Sequence, residues 1–382
     1  MNIIKGIGAA LVLATTAVAG ATFADTVKIG INIPLTGFAA ADGKSALTGA
    51  ELAAEQANAT GGVDGRQIEL VVYDDQASPK EVVPIANKLI EQDRVNVAVS
   101  GSYSGPTRAA AGVFQESGVP YISAYAVHPD ITRAGNYVFR TSFVGEVQGR
   151  AGAKLIGESL AKKKVVLITL NNDFGQSLAN GFKEVAGQFG ISIVNEYDYG
   201  IKDRQFGPIV ASVKVDAPEA IYASGYFFTA GPLVSQLRAA GVEAVIVGQE
   251  GYDSEKFIEI AGDAAEGVII TTSLDRDSDS AETRNFIQSF EEKAGYKTDM
   301  VAASAHTAVK VAIWAMQQAG ADDRKAIRDA IAGVSLDAST GTISFNALGE
   351  VKKDVQVQMV KDGAWRRHSI ISDPELLAPP DA

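Results

Sequence analysis

Short runs of β-branched and other apolar residues recur along this 382-residue chain, separated by longer segments with helical periodicity. Near-continuous apolar runs are typical of strands buried on both faces, and their alternation with helices predicts a parallel sheet covered on both sides. One helix has a clear start, because Ser78 can cap it and Pro79 fits its first position. The predicted strands are Val27–Ile33, Ile68–Tyr73, Val95–Val99, Tyr121–Ser123, Val165–Thr169, Ile191–Tyr197, Ala220–Ser224, Val245–Gly248 and Val268–Thr271.

These strands are too many for one wound sheet, and they fall into two series. The first series ends near residues 137–141, and the second runs from Val165 to about Thr272. A closing antiparallel hairpin is expected to pair residues 342–345 with 355–360, since both runs alternate apolar and polar residues. The sequence therefore predicts an α/β protein with two lobes and no long linker between them.

The N-terminus has the order of a secretory signal peptide: the basic residue Lys5, an uncharged apolar stretch, then small residues. We expect cleavage after Ala24, so that residues 1–24 are removed, with Ala17-Val18-Ala19 as a second candidate cleavage site. The apolar stretch is short and no charged stop follows it, which disfavours a membrane anchor.

The net charge and the absence of cysteine limit which compartment and which partners are expected. The formal charge is −12 at pH 7, and loss of Lys5 with the signal peptide makes it more negative by one. Such acidity argues against nucleic acid or anionic lipid as a partner. An exported chain without cysteine must be stabilised by burial in sizeable domains, and it cannot carry a lipid on an N-terminal cysteine. We therefore expect a soluble periplasmic protein.

Loops that follow the strands hold the candidate site residues, because ligands of open parallel sheets bind beyond the carboxyl ends of the strands. Ser104 and Pro106 open a helix whose free N–H groups and dipole attract a carboxylate or phosphate, although a simple serine cap explains this loop equally well. In the second series, Tyr226 offers an aromatic wall and Glu250 an anion for an ammonium group. Together these groups match the two poles of a zwitterion.

Enzyme chemistry has weaker support. The segment Gly37–Ser45 is similar to a phosphate-binding loop, but its spacer is one residue too long to wrap phosphates closely. The serines of Gly101–Gly105 are misplaced for a nucleophile elbow. The three histidines lie far apart without metal-ligand spacing, and Asp74-Asp75 is typical of a strand-end capping pair. We therefore predict no catalytic residue, no metal and no cofactor.

Several segments together form a recognisable pattern. They are Ile33-Pro34-Leu35-Thr36-Gly37, Gly49–Ala53, Asn58–Arg66, Asp74-Asp75, Phe139-Arg140-Thr141, Asp173-Phe174-Gly175 and Ile260–Gly267. Their order resembles the branched-chain and hydrophobic amino-acid binding proteins, the type I periplasmic receptors of ABC transporters. The resemblance covers essentially the whole mature chain, and the Ala-Gly-Asp-Ala-Ala-Glu-Gly block is its most specific part.

The resemblance implies the type I periplasmic binding protein fold, in which two Rossmann-like lobes joined by a three-crossover hinge close on the ligand. We assign residues 25–142 plus 274–348 to the N-terminal lobe. Residues 143–273 plus 349–382 are assigned to the C-terminal lobe.

Roles for site residues also follow from the resemblance. In the first lobe, Ser104 matches the serine that binds the ligand carboxylate, with main-chain help from near Tyr103. The loop that contains Tyr125, Ala126 and Val127 matches the family loop that lends a carbonyl to the ammonium. These assignments place the amino-acid backbone of a ligand against the first lobe.

The second lobe supplies the remaining contacts, and two positions depart from the family pattern. Tyr226 and Glu250 match a tyrosine and an acid, with Glu250 opposite the ammonium, and Phe174 matches an aromatic wall of the side-chain pocket. Val127 stands where the family commonly has threonine, so a hydroxyl is lost. Asp42 stands where a tyrosine often precedes glycine, and it either selects a basic or amide group or faces water.

The sequence thus predicts the solute-binding component of an ABC importer, which binds a branched-chain or other hydrophobic amino acid between its lobes. We expect a monomer that presents its ligand to an inner-membrane permease and is not an enzyme. Two alternatives stay open. One is a receptor for urea, an amide, a basic amino acid or an aromatic acid, and the other is a ligand sensor that feeds a signalling partner.

Overall fold

Two parallel sheets flanked by helices organise the computed structural model of this protein, which describes residues 26–381. The predicted signal peptide lies outside the described residues. The first sheet has five parallel strands in the order β2-β1-β3-β4-β5. These strands are β1 (Val27–Ile33), β2 (Ile68–Asp74), β3 (Val97–Ser100), β4 (Tyr121–Ser123) and β5 (Val138–Arg140).

The second sheet has seven strands, of which five pair in parallel and the last two join the sheet through antiparallel pairing. The later strands of the chain are β6 (Lys164–Leu170), β7 (Ser192–Tyr199), β8 (Ala220–Ala223), β9 (Val245–Gln249), β10 (Ile269–Thr272), β11 (Leu336–Ala338), β12 (Gly341–Ile343), β13 (Val355–Lys361) and β14 (Ala364–Ile371). The order across this sheet is β14-β13-β10-β9-β8-β6-β7, while β11 and β12 form a separate short pair.

Helices connect the strands and cover both sheets. They are α1 (Ala40–Ala59), α2 (Pro79–Glu91), α3 (Ser104–Glu116), α4 (Gly145–Lys154), α5 (Asp173–Ala186), α6 (Gly207–Asp216), α7 (Phe227–Ala239), α8 (Glu255–Ala261), α9 (Ala281–Ala294), α10 (Met300–Ala319) and α11 (Arg324–Ala332). The predicted start of α2 is confirmed, because the Ser78 side chain accepts a hydrogen bond from the Lys80 amide. None of the helices within residues 26–381 is both long and apolar enough to cross a membrane.

The predicted two-lobed α/β architecture is confirmed, and so are the predicted strands, whose ends differ by at most two residues. The closing hairpin was wrong. Residues 341–343 pair with β11, whereas β13 lies between β10 and β14. A tight turn at Asp362 and Gly363, both with positive φ, joins β13 to β14. An Asp-Gly pair between alternating runs is a strong hairpin signal, and it outweighs the alternation in 342–345.

The chain passes between the two sheets three times, through residues 141–144, 273–280 and 344–354. Each passage is short, so the lobes are held close together while each keeps its own sheet. Side chains at the carboxyl ends of both sheets therefore face a common gap. Hinge motion between packed domains requires only a few such connecting residues.

A buried ion pair anchors the third passage to the end of β5. The Arg140 guanidinium, at the end of β5, donates to both carboxylate oxygens of Glu350 in the third passage, with each distance 2.9 Å. The pair is almost fully buried, at 0% and 2% side-chain exposure. Arg140 also donates to the carbonyls of Ala126 and His128, and Thr132 contributes its hydroxyl to Glu350. All charges in the cluster are therefore compensated inside the protein.

We predict that Glu350→Ala lowers the free energy of unfolding by about 3–5 kcal/mol, because it leaves the Arg140 guanidinium buried without its counter-ion. Urea unfolding at constant pH measures the loss. Asp322→Ala is the matched control, because Asp322 pairs with Arg66 at 3.1 Å but is 81% exposed. The control should lose less than about 1 kcal/mol. Equal losses in the two variants would contradict the role assigned to the buried pair.

Candidate ligand-binding cleft

A cleft between the lobes brings together eight of the nine predicted site residues. The space between its walls, counted together with the part that is open to solvent, is about 410 Å³. The predicted residues that line it are Asp42, Tyr103, Ser104, Tyr125, Ala126, Phe174, Tyr226 and Glu250. Val127 is the exception, since its side chain is buried in the core.

The first turn of α1 places Asp42 at the cleft. Gly43 makes this possible, because a Cβ atom there would lie 1.8 Å from the Pro34 carbonyl oxygen. The helix therefore packs directly against the chain that leaves β1. Asp42 is only 7% exposed, and its Oδ2 accepts a hydrogen bond of 2.6 Å from the Tyr103 hydroxyl. Burial raises the pKa of Asp42 to about 7.

The N-terminus of α3 forms the next part of the wall. Tyr103 is the residue before this helix and Ser104 is its first residue, 3% exposed. Free N–H groups of a first helical turn and the helix dipole favour an anion at this position. The Ser104 hydroxyl oxygen accepts a hydrogen bond of 3.2 Å from the Val127 amide. Val127 therefore supports the site through its backbone.

The loop after β4 is held in place by its own hydrogen bonds. The Tyr125 hydroxyl donates to the Gly101 carbonyl at 2.5 Å. The Ala126 carbonyl belongs to the loop that the family pattern matched to a carbonyl for the ligand ammonium. It accepts from Arg140 at 2.9 Å and from the Ser123 hydroxyl at 3.2 Å. Two donors already occupy the acceptor positions of this oxygen, so the Ala126 carbonyl is a weak candidate for binding a ligand.

Aromatic rings from both lobes meet across the cleft. Tyr226 precedes α7, and Phe174 lies in the first turn of α5. The Tyr226 ring stacks on Tyr103 of the first lobe, with centroids 4.3 Å apart and planes 11° apart, and on Phe174 at 4.8 Å. At the rim, Phe38 meets Phe228 edge to face at 5.7 Å. Stacked and edge-to-face contacts of this kind stabilise the arrangement beyond the contribution of burying the rings.

Glu250 is a buried carboxylate without adequate compensation. It follows β9 and is 2% exposed. Its Oε2 meets the Ser273 hydroxyl only at 3.5 Å, and its Oε1 has no hydrogen-bond partner among the described residues. Burial raises the pKa of Glu250 to about 8; the neighbouring Gln148 side chain and Lys353 oppose the rise, and Asp253 adds to it. Such a group favours a cationic or donor partner.

Six further lining residues carried no sequence signal that we used: Phe227, Gly251, Asp253, Ser254, Met300 and Val301. Asp253 lies three residues after Glu250, and a second acid so close to a predicted site residue is a signal that the sequence did contain. Its carboxylate accepts from the Thr272 hydroxyl at 2.6 Å and pairs with Arg276. Met300 and Val301 start α10, far away in sequence from the other residues of the cleft. Only the folded arrangement brings them here.

Direct contacts join the two lobes around the cleft. The Arg108 guanidinium on α3 forms an ion pair of 2.9 Å with Asp173 on α5. The Met300 amide of the first lobe donates to the Asp253 carboxylate of the second at 3.3 Å. Together with the aromatic stack, these contacts show that the described conformation is closed.

Two sheets that close around a small, mixed polar and aromatic cleft are typical of a hinged receptor for a small solute. The family model for periplasmic binding proteins matches residues 26–364, and the chain therefore belongs to the periplasmic binding protein family. Its fold is the type I fold of that family, as predicted. Members of this family are solute-binding proteins rather than enzymes, and membership implies a periplasmic location.

Relatives agree with this assignment along nearly the full chain. The leucine-, isoleucine-, valine-, threonine- and alanine-binding protein of Pseudomonas aeruginosa is 30% identical over 86% of this chain and 88% of its own. A substrate-binding protein of a branched-chain amino-acid transporter from Streptococcus pneumoniae, solved with isoleucine, has a TM-score of 0.85 and 29% identity, covering 91% and 99%. A solute-binding protein from Rhodopseudomonas palustris, solved with benzoate, has a TM-score of 0.83 and 25% identity, covering 91% and 96%.

We predict that Glu250→Gln stabilises the closed conformation of the protein increasingly as the pH rises from 5 to 8. The folded pKa of about 8 exceeds the ordinary value of 4.5, so the folded state binds the proton more tightly. Native stability contributed by that proton is fully present below pH 4.5 and is lost as the pH rises towards 8. The variant should gain a few kcal/mol on wild type across this range. Urea unfolding at several pH values measures the difference in unfolding free energy between variant and wild type. A difference that does not change with pH would contradict the prediction.

Proposed function

We propose that this protein is the periplasmic receptor of an ABC importer for an amino acid, which it delivers to an inner-membrane permease. The observation that carries the proposal is the Glu250 carboxylate, which is 2% exposed and has an oxygen without a partner among the described residues. An α-ammonium group would supply the missing positive charge and its donors. The α-ammonium group is common to amino acids, so this contact does not depend on the side chain of the ligand.

The other end of an amino acid fits the N-terminus of α3. Ser104 and the first N–H groups of that helix lie on the opposite lobe from Glu250. A carboxylate placed there gains from the helix dipole and from hydrogen bonds. Closure of the lobes would therefore grip the zwitterion at both poles, while the stacked rings of Tyr103, Tyr226 and Phe174 pack against the side chain. This reading agrees with the amino acids named for the relatives from P. aeruginosa and S. pneumoniae.

An aromatic acid is the second candidate, because the cleft has an aromatic stack and a relative from R. palustris was solved with benzoate. A benzoate carboxylate could use the same helix N-terminus. It would nevertheless bring no positive charge to Glu250, and a second buried carboxyl, Asp42, lines the same cleft. Burying a further anion beside uncompensated acids is costly. The charges therefore favour an amine-bearing ligand.

A thermal-shift panel on protein unfolded, freed of bound solute and refolded tests the proposal. It includes the twenty amino acids, urea, simple amides and aromatic acids. A ligand at 100 times its Kd adds about 2.7 kcal/mol to the free energy of unfolding, which raises Tm visibly. A shift with at least one amino acid is expected. A response to aromatic acids alone would replace the amino-acid proposal, and silence across the panel would remove it.

We predict that Glu250→Ala weakens amino-acid binding by about 2–5 kcal/mol, because it leaves the ammonium group in the closed cleft without its counter-ion. Ser104→Ala should lose about 1 kcal/mol, since the helix N–H groups remain. Isothermal titration calorimetry measures both. The control is Glu259→Ala, since Glu259 lies on α8 of the same lobe and its side chain is 60% exposed. Near-native affinity in the Glu250→Ala variant would show that the ammonium lies elsewhere.

A further inference from the structure

The cleft contains a second buried carboxyl, Asp42, that the proposed grip on the amino-acid backbone does not use. It belongs to the first lobe, whereas Glu250 belongs to the second, and both line the cleft. Oδ2 of Asp42 accepts a single hydrogen bond, the 2.6 Å bond from the Tyr103 hydroxyl. Its other oxygen, Oδ1, has no hydrogen-bond partner within residues 26–381. The carboxyl is thus anchored on one side and available on the other.

Charges near Asp42 do not compensate it. Apart from Tyr103, the titratable group that acts on it is another acid, Asp299, which is itself buried and accepts from the Ser45 hydroxyl at 2.6 Å. Arg276 is already paired with Asp253. Lys353 acts on Glu250 and lies 4.9 Å from the centroid of the Phe143 ring. A hydrogen-bond donor for Asp42 therefore has to come from a ligand, from water or from its own bound proton.

The side chains around Asp42 also determine which part of a bound ligand would contact its carboxyl group. Tyr103, whose hydroxyl Asp42 holds, stacks on Tyr226 and meets the edge of Tyr125 at 6.4 Å. These rings form the apolar wall around the carboxyl. A side chain with an aliphatic stem can pack on the rings and place its terminal group at Asp42. An entirely aliphatic side chain would cover the carboxyl without replacing the hydrogen bonds that it makes with water.

We propose that Asp42 is a specificity-determining residue that selects amino acids with a donor-bearing side chain, an amide or ammonium group, over aliphatic ones of similar size. The inference rests on the proposed amino-acid function and deepens it. Sites built to bond a polar group discriminate strongly against analogues that lack it, because the buried protein group is then left unpaired. A purely structural Asp42, needed only to orient Tyr103, would not produce this preference.

Titration calorimetry on the refolded, ligand-free protein tests the selection with matched pairs. Asparagine is compared with leucine, and glutamine with methionine, because the members of each pair are close in size. The donor-bearing member should bind at least about tenfold more tightly. Lysine forms a separate arm, and its affinity relative to glutamine distinguishes ammonium from amide recognition.

Two variants of Asp42 separate selection from support of Tyr103. Asp42→Asn keeps an acceptor for the Tyr103 hydroxyl but removes the charge, so lysine should lose at least about tenfold in affinity while leucine changes little. Asp42→Leu removes the polar group and should reverse the asparagine–leucine order. Asp93→Asn is the control, because Asp93 also accepts from a tyrosine, Tyr73, at 3.0 Å, but outside the cleft. The Tm of each ligand-free variant reports on folding.

The outcomes distinguish this inference from the function on which it rests. If wild type binds leucine and methionine more tightly than asparagine and glutamine, the selection is wrong and the amino-acid receptor stands. A donor preference that persists unchanged in both Asp42 variants also overturns the selection. If no amino acid binds at all, the amino-acid function is withdrawn together with it.

Discussion

The Arg140–Glu350 ion pair is the interaction on which the relation between hinge and cleft depends. Arg140 stands where the chain leaves the first sheet, and Glu350 stands in the last passage between the lobes. The same guanidinium fixes the carbonyls of Ala126 and His128, next to the candidate site. The Arg140 guanidinium therefore links the last passage between the lobes to the loop after β4, which forms part of the cleft wall.

The cleft itself is defined by acids that folding has removed from water. Asp42 and Glu250 come from opposite lobes and reach comparable pKa values, about 7 and about 8, for the same main reason, burial. In an open form both would regain solvent. Closure without a suitable ligand thus removes the charged carboxylates from water and costs free energy. Closure on a cation or a hydrogen-bond donor reduces this desolvation cost. Ligand selectivity and lobe closure then both depend on how well the ligand compensates these two buried carboxyl groups.

Much of this arrangement could be predicted from local sequence, and the exceptions have physical reasons. The parallel strands were predictable because buried strands are nearly continuous apolar runs. The position of Ser104, Tyr226 and Glu250 at the cleft could be predicted because each lies within four residues of the carboxyl end of a parallel strand. Met300 was not, because its place in the cleft depends on how α10 packs, which no local pattern encodes. Val127 was misplaced because a loop residue can serve a site through its amide alone, and sequence does not show which way it faces.

The stack of Tyr103 on Tyr226 has a consequence for the empty receptor. Since the two rings belong to different lobes and touch directly, they attract each other whether or not a solute lies nearby. An aromatic pair of this kind contributes about 0.5–1.5 kcal/mol, enough to raise the population of closed, unloaded molecules several-fold. A permease that recognises the closed shape would meet these molecules as competitors of the loaded ones. The strength of this one ring contact therefore sets how many closed, unloaded molecules compete with the loaded ones.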